Sequence, residues 1–165
     1  TFSSVAERWL SLRVHRNGYT TDAGGIYLRD YKMVCLDESK TISAFGGDPL
    51  RFAEEYFRVF CNYIADRKPD IIGHFDLITK FNEGGRLFDE SHPRYVAAWK
   101  AAADKLLKTG AVFEINTGAI SRGYRSAPYP AAPIRDYLRG KGAKLIQSSD
   151  SHSCQTLAYR FGEWA

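Results

Sequence analysis

The sequence predicts an α/β domain with parallel strands, on three observations. Short apolar runs that suit buried strands, at 70–73, 111–115 and 144–147, alternate with longer segments whose apolar residues recur at helical spacing. Strand, helix, strand, helix, strand in succession calls for parallel pairing through right-handed crossovers. Each run also ends in polar or ionisable residues, at the strand ends where parallel sheets gather functional groups.

The elements follow in order. Residues 1–43 give ambiguous signals: Val5 to Leu12 suits a short helix, and 24–28 and 33–36 suit two short strands around the turn Arg29-Asp30. At Asp48-Pro49 an N-cap residue precedes a proline at the first helical position. Phe52, Tyr56, Phe57, Phe60 and Ile64 then mark one face of a helix that should end near Lys68-Pro69. Asp70-Ile71-Ile72-Gly73 is the next strand, closed by His74, and a polar loop runs to Ser91.

His92-Pro93 opens a second helix with Tyr95, Trp99, Ala102 and Leu106 on its buried face, and Gly110 suits its C-cap. Ala111 to Ile115 is a strand ending in Asn116-Thr117-Gly118, followed by a loop rich in Gly, Ser and Pro to Pro130. A helix over Pro133 to Arg139 stops at Gly140 and Gly142, Lys144 to Gln147 forms the last strand, and Gln155 to Tyr159 suits a final helix.

A chain of 165 residues can bury a real core within one domain spanning 1–165. Its apolar share of 44% and charged share of 25% suit a water-soluble fold. No run approaches the roughly 18 apolar residues of a membrane helix. The net charge of +4 is spread along the chain, so nucleic acid is not indicated and a small anionic ligand is mildly favoured. Cys35, Cys61 and Cys154 are odd in number and far apart, which points to reduced, buried thiols and a cytoplasmic setting. The first residue is Thr1 and the sole methionine is Met33, so an N-terminal portion is expected to be missing.

Three strand ends carry the candidate chemistry: Gly73-His74-Phe75-Asp76, Glu114-Ile115-Asn116-Thr117 and Ser149-Asp150-Ser151-His152. Asp150 and His152, two residues apart past a strand end, can turn toward one point. Imidazole with carboxylate suits Zn, Mn or Fe rather than an all-oxygen ion. A plainer reading makes His74 a hydrogen-bonded structural residue and Asp150 a helix cap. Glu114 alternates with Phe113 and Ile115, so it faces the other side of its strand and needs a partner there. Arg122 and Arg125 follow the same strand. A guanidinium can clasp phosphate with paired hydrogen bonds, whereas the plainer reading leaves both on the surface. Asp76, Lys80 and His92 complete the set, with His92 read as a helix-start residue.

The strings at 70–80 (DIIGHFDLITK), 113–117 (FEINT) and 148–153 (SSDSHS) resemble later motifs of the PHP (polymerase and histidinol phosphatase) family, nearest its histidinol-phosphatase branch. The resemblance runs from Asp37 to Ala165 and is strongest over 48–165, while 1–43 matches poorly. It implies a distorted (β/α)7 barrel of which this chain is a partial copy lacking N-terminal strands. It also implies a cluster of divalent ions held in part by His74, Asp150 and His152, with Asp150 and His152 catalytic. Glu114, Asn116 and Asp76 would stand behind them, and Arg122 would contact the substrate phosphate. The implied reaction is hydrolysis of a small phosphate monoester, L-histidinol phosphate.

The family's opening H-x-H motif is absent from the sequence, and Val14-His15 is only a loose substitute for a middle histidine. The alternative is therefore an inactive partial domain that binds a phosphorylated ligand or partner. Missing strands would leave an open sheet edge, so self-association or pairing with another segment is expected.

Overall fold

The computed structural model describes residues 45–164. The expected elements in 1–43, and Cys35, lie outside the described residues. The chain divides into two compact units, Thr1–Asp48 and Pro49–Ala165. Of the first, the described part is a turn over 45–47. The second carries all the strands and helices that follow, and it begins where the motif resemblance strengthens.

Helix α1 spans Pro49–Arg67. Strand β1, Ile71–Ile72, is shorter than expected and leads into the loop that carries His74. Helix α2 spans Pro93–Leu107, and His92 caps it by accepting the Arg94 N–H on its imidazole nitrogen, as its place before proline implied. Gly110 takes a positive φ of 76° in the turn that follows. Strand β2 is Val112–Asn116. The loop expected at 118–130 instead begins with a short helix, α3, Gly118–Ser121. Helix α4 is Ala132–Gly140 and strand β3 is Leu145–Ser148.

The final helix expected over 155–159 is not formed. A single 3-10 turn, Cys154–Thr156, stands in its place. Leu157 leaves that turn in an extended conformation, Ala158 and Arg160 have positive φ, and Leu157 is 67% exposed. Without an apolar face to bury, so short a segment has little to offset the cost of helix nucleation.

The three strands form a parallel sheet in the order β1-β2-β3. Ile72 pairs with Phe113, and Phe113 to Asn116 pair with Leu145 to Ser148. The sheet is open, and no closed barrel is formed among the described residues. Phe113 and Ile115 are buried beneath the helices. Phe57 and Phe60 of α1 meet Phe75, which meets Phe113, and Tyr95 of α2 packs on Phe57. Ring-to-ring contacts thus fix the loop after β1 against the central strand, and the positions of His74 and Asp76 follow from that anchor. Glu114 and Asn116 alternate with buried Phe113 and Ile115 and face the other side.

Two surface expectations are corrected. Cys154 is exposed, because it lies in the irregular C-terminal turn, whereas Cys61 is buried as expected. Arg125 is not a solvated surface arginine: its side chain is 10% exposed and pairs with Glu90 and Glu83. It also donates to the Thr79 carbonyl, joining the loop after β1 to the loop after β2. Arg125→Met should cost about 2 kcal/mol in urea unfolding, since it removes the cationic partner of half-buried Glu90 and one of two donors to the Thr79 carbonyl. An unchanged midpoint and slope would show that the clasp is not stabilising.

Candidate functional site

At the C-terminal end of the sheet, Glu114 and Asn116 of β2 join His74, Asp150 and Arg122 from the loops beyond the strands in one connected group. His74 and Asp150 both take left-handed backbone conformations, with φ of 52° and 44°. Such angles cost a non-glycine residue roughly 1–2 kcal/mol and persist only where surrounding contacts hold them. For His74 the hold is Glu114, whose Oε2 accepts the His74 backbone N–H at 3.0 Å and lies 3.3 Å from its Nδ1. Gly73 permits this approach, because a Cβ there would sit 2.9 Å from the same oxygen. For Asp150 the backbone N–H is taken by Ser148 Oγ at 3.2 Å.

The other ring nitrogen of His74, Nε2, lies 3.4 Å from Asp150 Oδ2 and 3.3 Å from Asn116 Nδ2. The carboxylate asks Nε2 for a proton and the amide asks it for a lone pair. Asn116 Nδ2 has a further acceptor in Glu114 Oε1 at 3.1 Å, so the charged partner prevails. Burial opposes the imidazolium, but hydrogen bonds and charges from Asp150 and Glu114 outweigh it and raise the His74 pKa to about 9. Burial likewise works against ionised Glu114 and Asp150. Glu114 is nonetheless held below its ordinary value by His74, Ser148 and Asn116. Asp150 is held well below the usual carboxylate range by His74 and Arg122.

The remaining candidates fall around this group. Arg122 donates Nη2 to Asp150 Oδ2 at 2.6 Å and Nη1 to the Asp150 carbonyl at 2.7 Å. His152 is 66% exposed, with Nε2 3.7 Å from Asp150 Oδ1, beyond hydrogen-bonding distance. Asp76 is buried away from solvent, and its Oδ2 accepts the Ala131 N–H at 2.8 Å, so its hydrogen bond runs to the loop before α4 rather than to His74. Lys80 lies 4.2 Å from the centre of the Tyr124 ring. Asp150 is not a helix cap, since the short 3-10 turn that follows, Cys154–Thr156, has Ser153 at its cap position.

The donor chemistry suits a metal ion in part. Two ligands of a tetrahedral ion with bonds of ~2.0 Å stand about 3.3 Å apart, close to the separation of His74 Nε2 and Asp150 Oδ2. Glu114 on Nδ1 is the carboxylate–histidine arrangement that turns the opposite nitrogen toward a metal. Yet among the described residues no group of three or more His, Cys, Asp or Glu side chains could hold an ion. The described residues thus supply one fitted pair of donors, not a full set.

Gly73 and Gly118 do not stand out in the sequence as parts of this arrangement, and a glycine just past a strand end is the one available hint. Arg125, a candidate phosphate clasp by its place after β2, is instead committed to Glu90, Glu83 and the Thr79 carbonyl, outside this group.

Over 118 residues, 68% of the chain, the sequence is 30% identical to a protein of Schizosaccharomyces pombe named a probable histidinol-phosphatase. The chain spans 37% of that relative's length. No family model and no solved structure matches the chain. Fold and site thus describe a mixed α/β unit with a charged group beyond the strand ends of an open parallel sheet. The sequence similarity adds a distant relationship to a protein with a phosphatase name. Among the described residues no helix is long and apolar enough to cross a membrane.

Proposed function

We propose that this chain is part of a PHP-type, metal-dependent phosphate monoester hydrolase acting on L-histidinol phosphate in histidine biosynthesis, in the cytoplasm. The observation that carries the reading is the His74–Asp150 pair, 3.4 Å apart and backed by Glu114. The relative's name supports the substrate class.

His74 and Asp150 would hold a Zn, Mn or Fe ion, with His152 beside them. The ion would supply Lewis-acid activation of the ester and of water. Glu114 fixes the orientation of His74 through its backbone N–H and Nδ1. Asn116 holds Glu114 in turn and accepts the Gly118 N–H, tying the site to the first turn of α3. Arg122 offers the paired N–H groups that suit a phosphate. His152, the most exposed member, would pass a proton to the departing alkoxide.

Metal-dependent phosphate release from histidinol phosphate, abolished by Asp150→Asn and by His74→Gln, is the expected result. Stoichiometric Mn uptake, lost in the Asp150→Ala, His152→Ala double variant, should accompany it. One observation favours a second reading, a non-catalytic domain that binds a phosphorylated ligand: no group of three or more metal donors occurs among the described residues. Saturable binding of the ester without metal uptake or phosphate release would select it.

A further inference from the structure

Arg122 and Asp150 are placed more closely than a surface ion pair requires. The guanidinium contacts both the Oδ2 and the main-chain carbonyl of Asp150, so it spans the residue in a two-point clasp. The side chains are 28% and 25% exposed, so the pair is only partly screened by water. The backbone makes room for the clasp at Gly118. A Cβ there would stand 2.7 Å from Arg122 Nη2, 2.9 Å from Asp150 Cβ and 2.9 Å from the Ser149 carbonyl. The oxygen that Arg122 holds is the same one that faces His74 Nε2. One carboxylate oxygen therefore serves a guanidinium and an imidazole, and it cannot keep both while also binding a cation.

We propose that Arg122 is a built-in counter-cation for Asp150 that competes with a divalent ion for Oδ2, so that phosphate, by drawing Arg122 away, tightens divalent-ion binding. The inference rests on the reading of Asp150 as a metal ligand and adds a coupling between two ligands of one site. Guanidinium forms paired hydrogen bonds with phosphate, and Arg122 now divides its two donors between one carboxylate oxygen and a main-chain carbonyl, so a phosphate group offers it a fully charged alternative partner. Once Arg122 turns to it, Asp150 loses one of its two cationic neighbours and its affinity for a divalent ion rises. By linkage, the divalent ion raises the affinity for phosphate by the same factor. An empty site keeps its charge balanced, and the two ligands assemble together.

The test is a titration of the full chain with Mn2+, read by the electron paramagnetic resonance of the free ion, with and without inorganic phosphate. A protein-free titration corrects for phosphate's own complex with Mn2+. The wild-type chain should bind Mn2+ severalfold more tightly when phosphate is present. Arg122→Ala should bind Mn2+ about tenfold more tightly without phosphate, the scale set by losing a charge-assisted contact, and phosphate should add nothing further. Equal or weaker Mn2+ binding in Arg122→Ala, or no effect of phosphate on the wild-type chain, overturns the coupling. The wild-type arm needs no variant, so a misfolded substitution does not decide the matter. Asp150→Asn separates the two levels. If it abolishes Mn2+ binding while Arg122→Ala changes nothing, only the coupling fails. If it binds Mn2+ like the wild type, or if no form binds Mn2+, the metal reading of Asp150 fails as well.

Discussion

Replacing Asp76 by asparagine should raise stability at pH 8 by up to ~4 kcal/mol and leave it little changed near pH 4. Asp76 is fully buried, one of its oxygens is bonded to Ala131 N–H, and the other has no hydrogen-bond partner within the protein. Burial dominates and pushes the carboxyl up to about 7, against the Ala131 hydrogen bond. Glu90 adds to the rise and Arg125 opposes it. A carboxyl whose folded pKa lies above its unfolded value holds its proton more firmly in the native state. Its contribution is therefore complete below about pH 4 and is lost as pH rises to about 7. A rise from 3.8 to about 7 corresponds to at most ~4 kcal/mol. The amide keeps the acceptor for Ala131 and removes the charge, so the variant should lose this pH dependence. Urea unfolding at pH 5 and pH 8 measures it, and parallel pH profiles for variant and parent would refute a neutral, buried Asp76.

Glu114→Gln should lower the pKa of His74 from about 9 and reduce stability near pH 6 by about 2 kcal/mol. His74 titrates high because two carboxylates flank it, after burial has worked the other way. A histidine with a raised folded pKa contributes stability that is complete below about pH 6.5 and is lost as pH rises through about 9. The whole rise is worth roughly 3 kcal/mol, and Glu114 supplies part of it alongside Asp150. Glutamine still offers an oxygen to the His74 backbone N–H, so the left-handed turn is expected to survive while the charge is lost. Proton NMR titration of the His74 ring reads the shift directly. A His74 pKa that stays near 9 would assign the whole effect to Asp150. At low pH the sign reverses: Glu114 and Asp150 are held below their ordinary values, so their contribution is lost as pH falls below the usual carboxylate range. The parent protein should therefore be most stable at mildly acidic pH.

Helix α1, helix α2 and the three strands were all legible in the sequence, and the alternation of strands with helices gave their parallel direction but not their order in the sheet. Each rests on patterns within a single segment: apolar spacing in 52–64, Asp48-Pro49 and His92-Pro93 as starts, and short apolar runs bounded by polar residues. The face that Glu114 presents was legible for the same reason, since strand alternation is local. The final helix over 155–159 failed because helical propensity without a face to bury does not hold so short a segment. Short α3 escaped because four residues within a Gly- and Ser-rich stretch carry no periodic signal.

The candidate site divides along the same line. His74, Glu114, Asn116, Asp150 and His152 were visible as residue types at strand ends, and Arg122 in the loop after the second of them. Their pairings were not, because they join positions tens of residues apart: His74 with Asp150, Arg122 with Asp150, Arg125 with Thr79. Packing of Phe75 between Phe57 and Phe113 turns the loop after β1, and that turn sends Asp76 to Ala131 while leaving His74 against Glu114. Local patterns set which segments become strands and helices, because their causes lie within a few residues. Which charge meets which depends on how those segments pack, and only the folded chain contains that information.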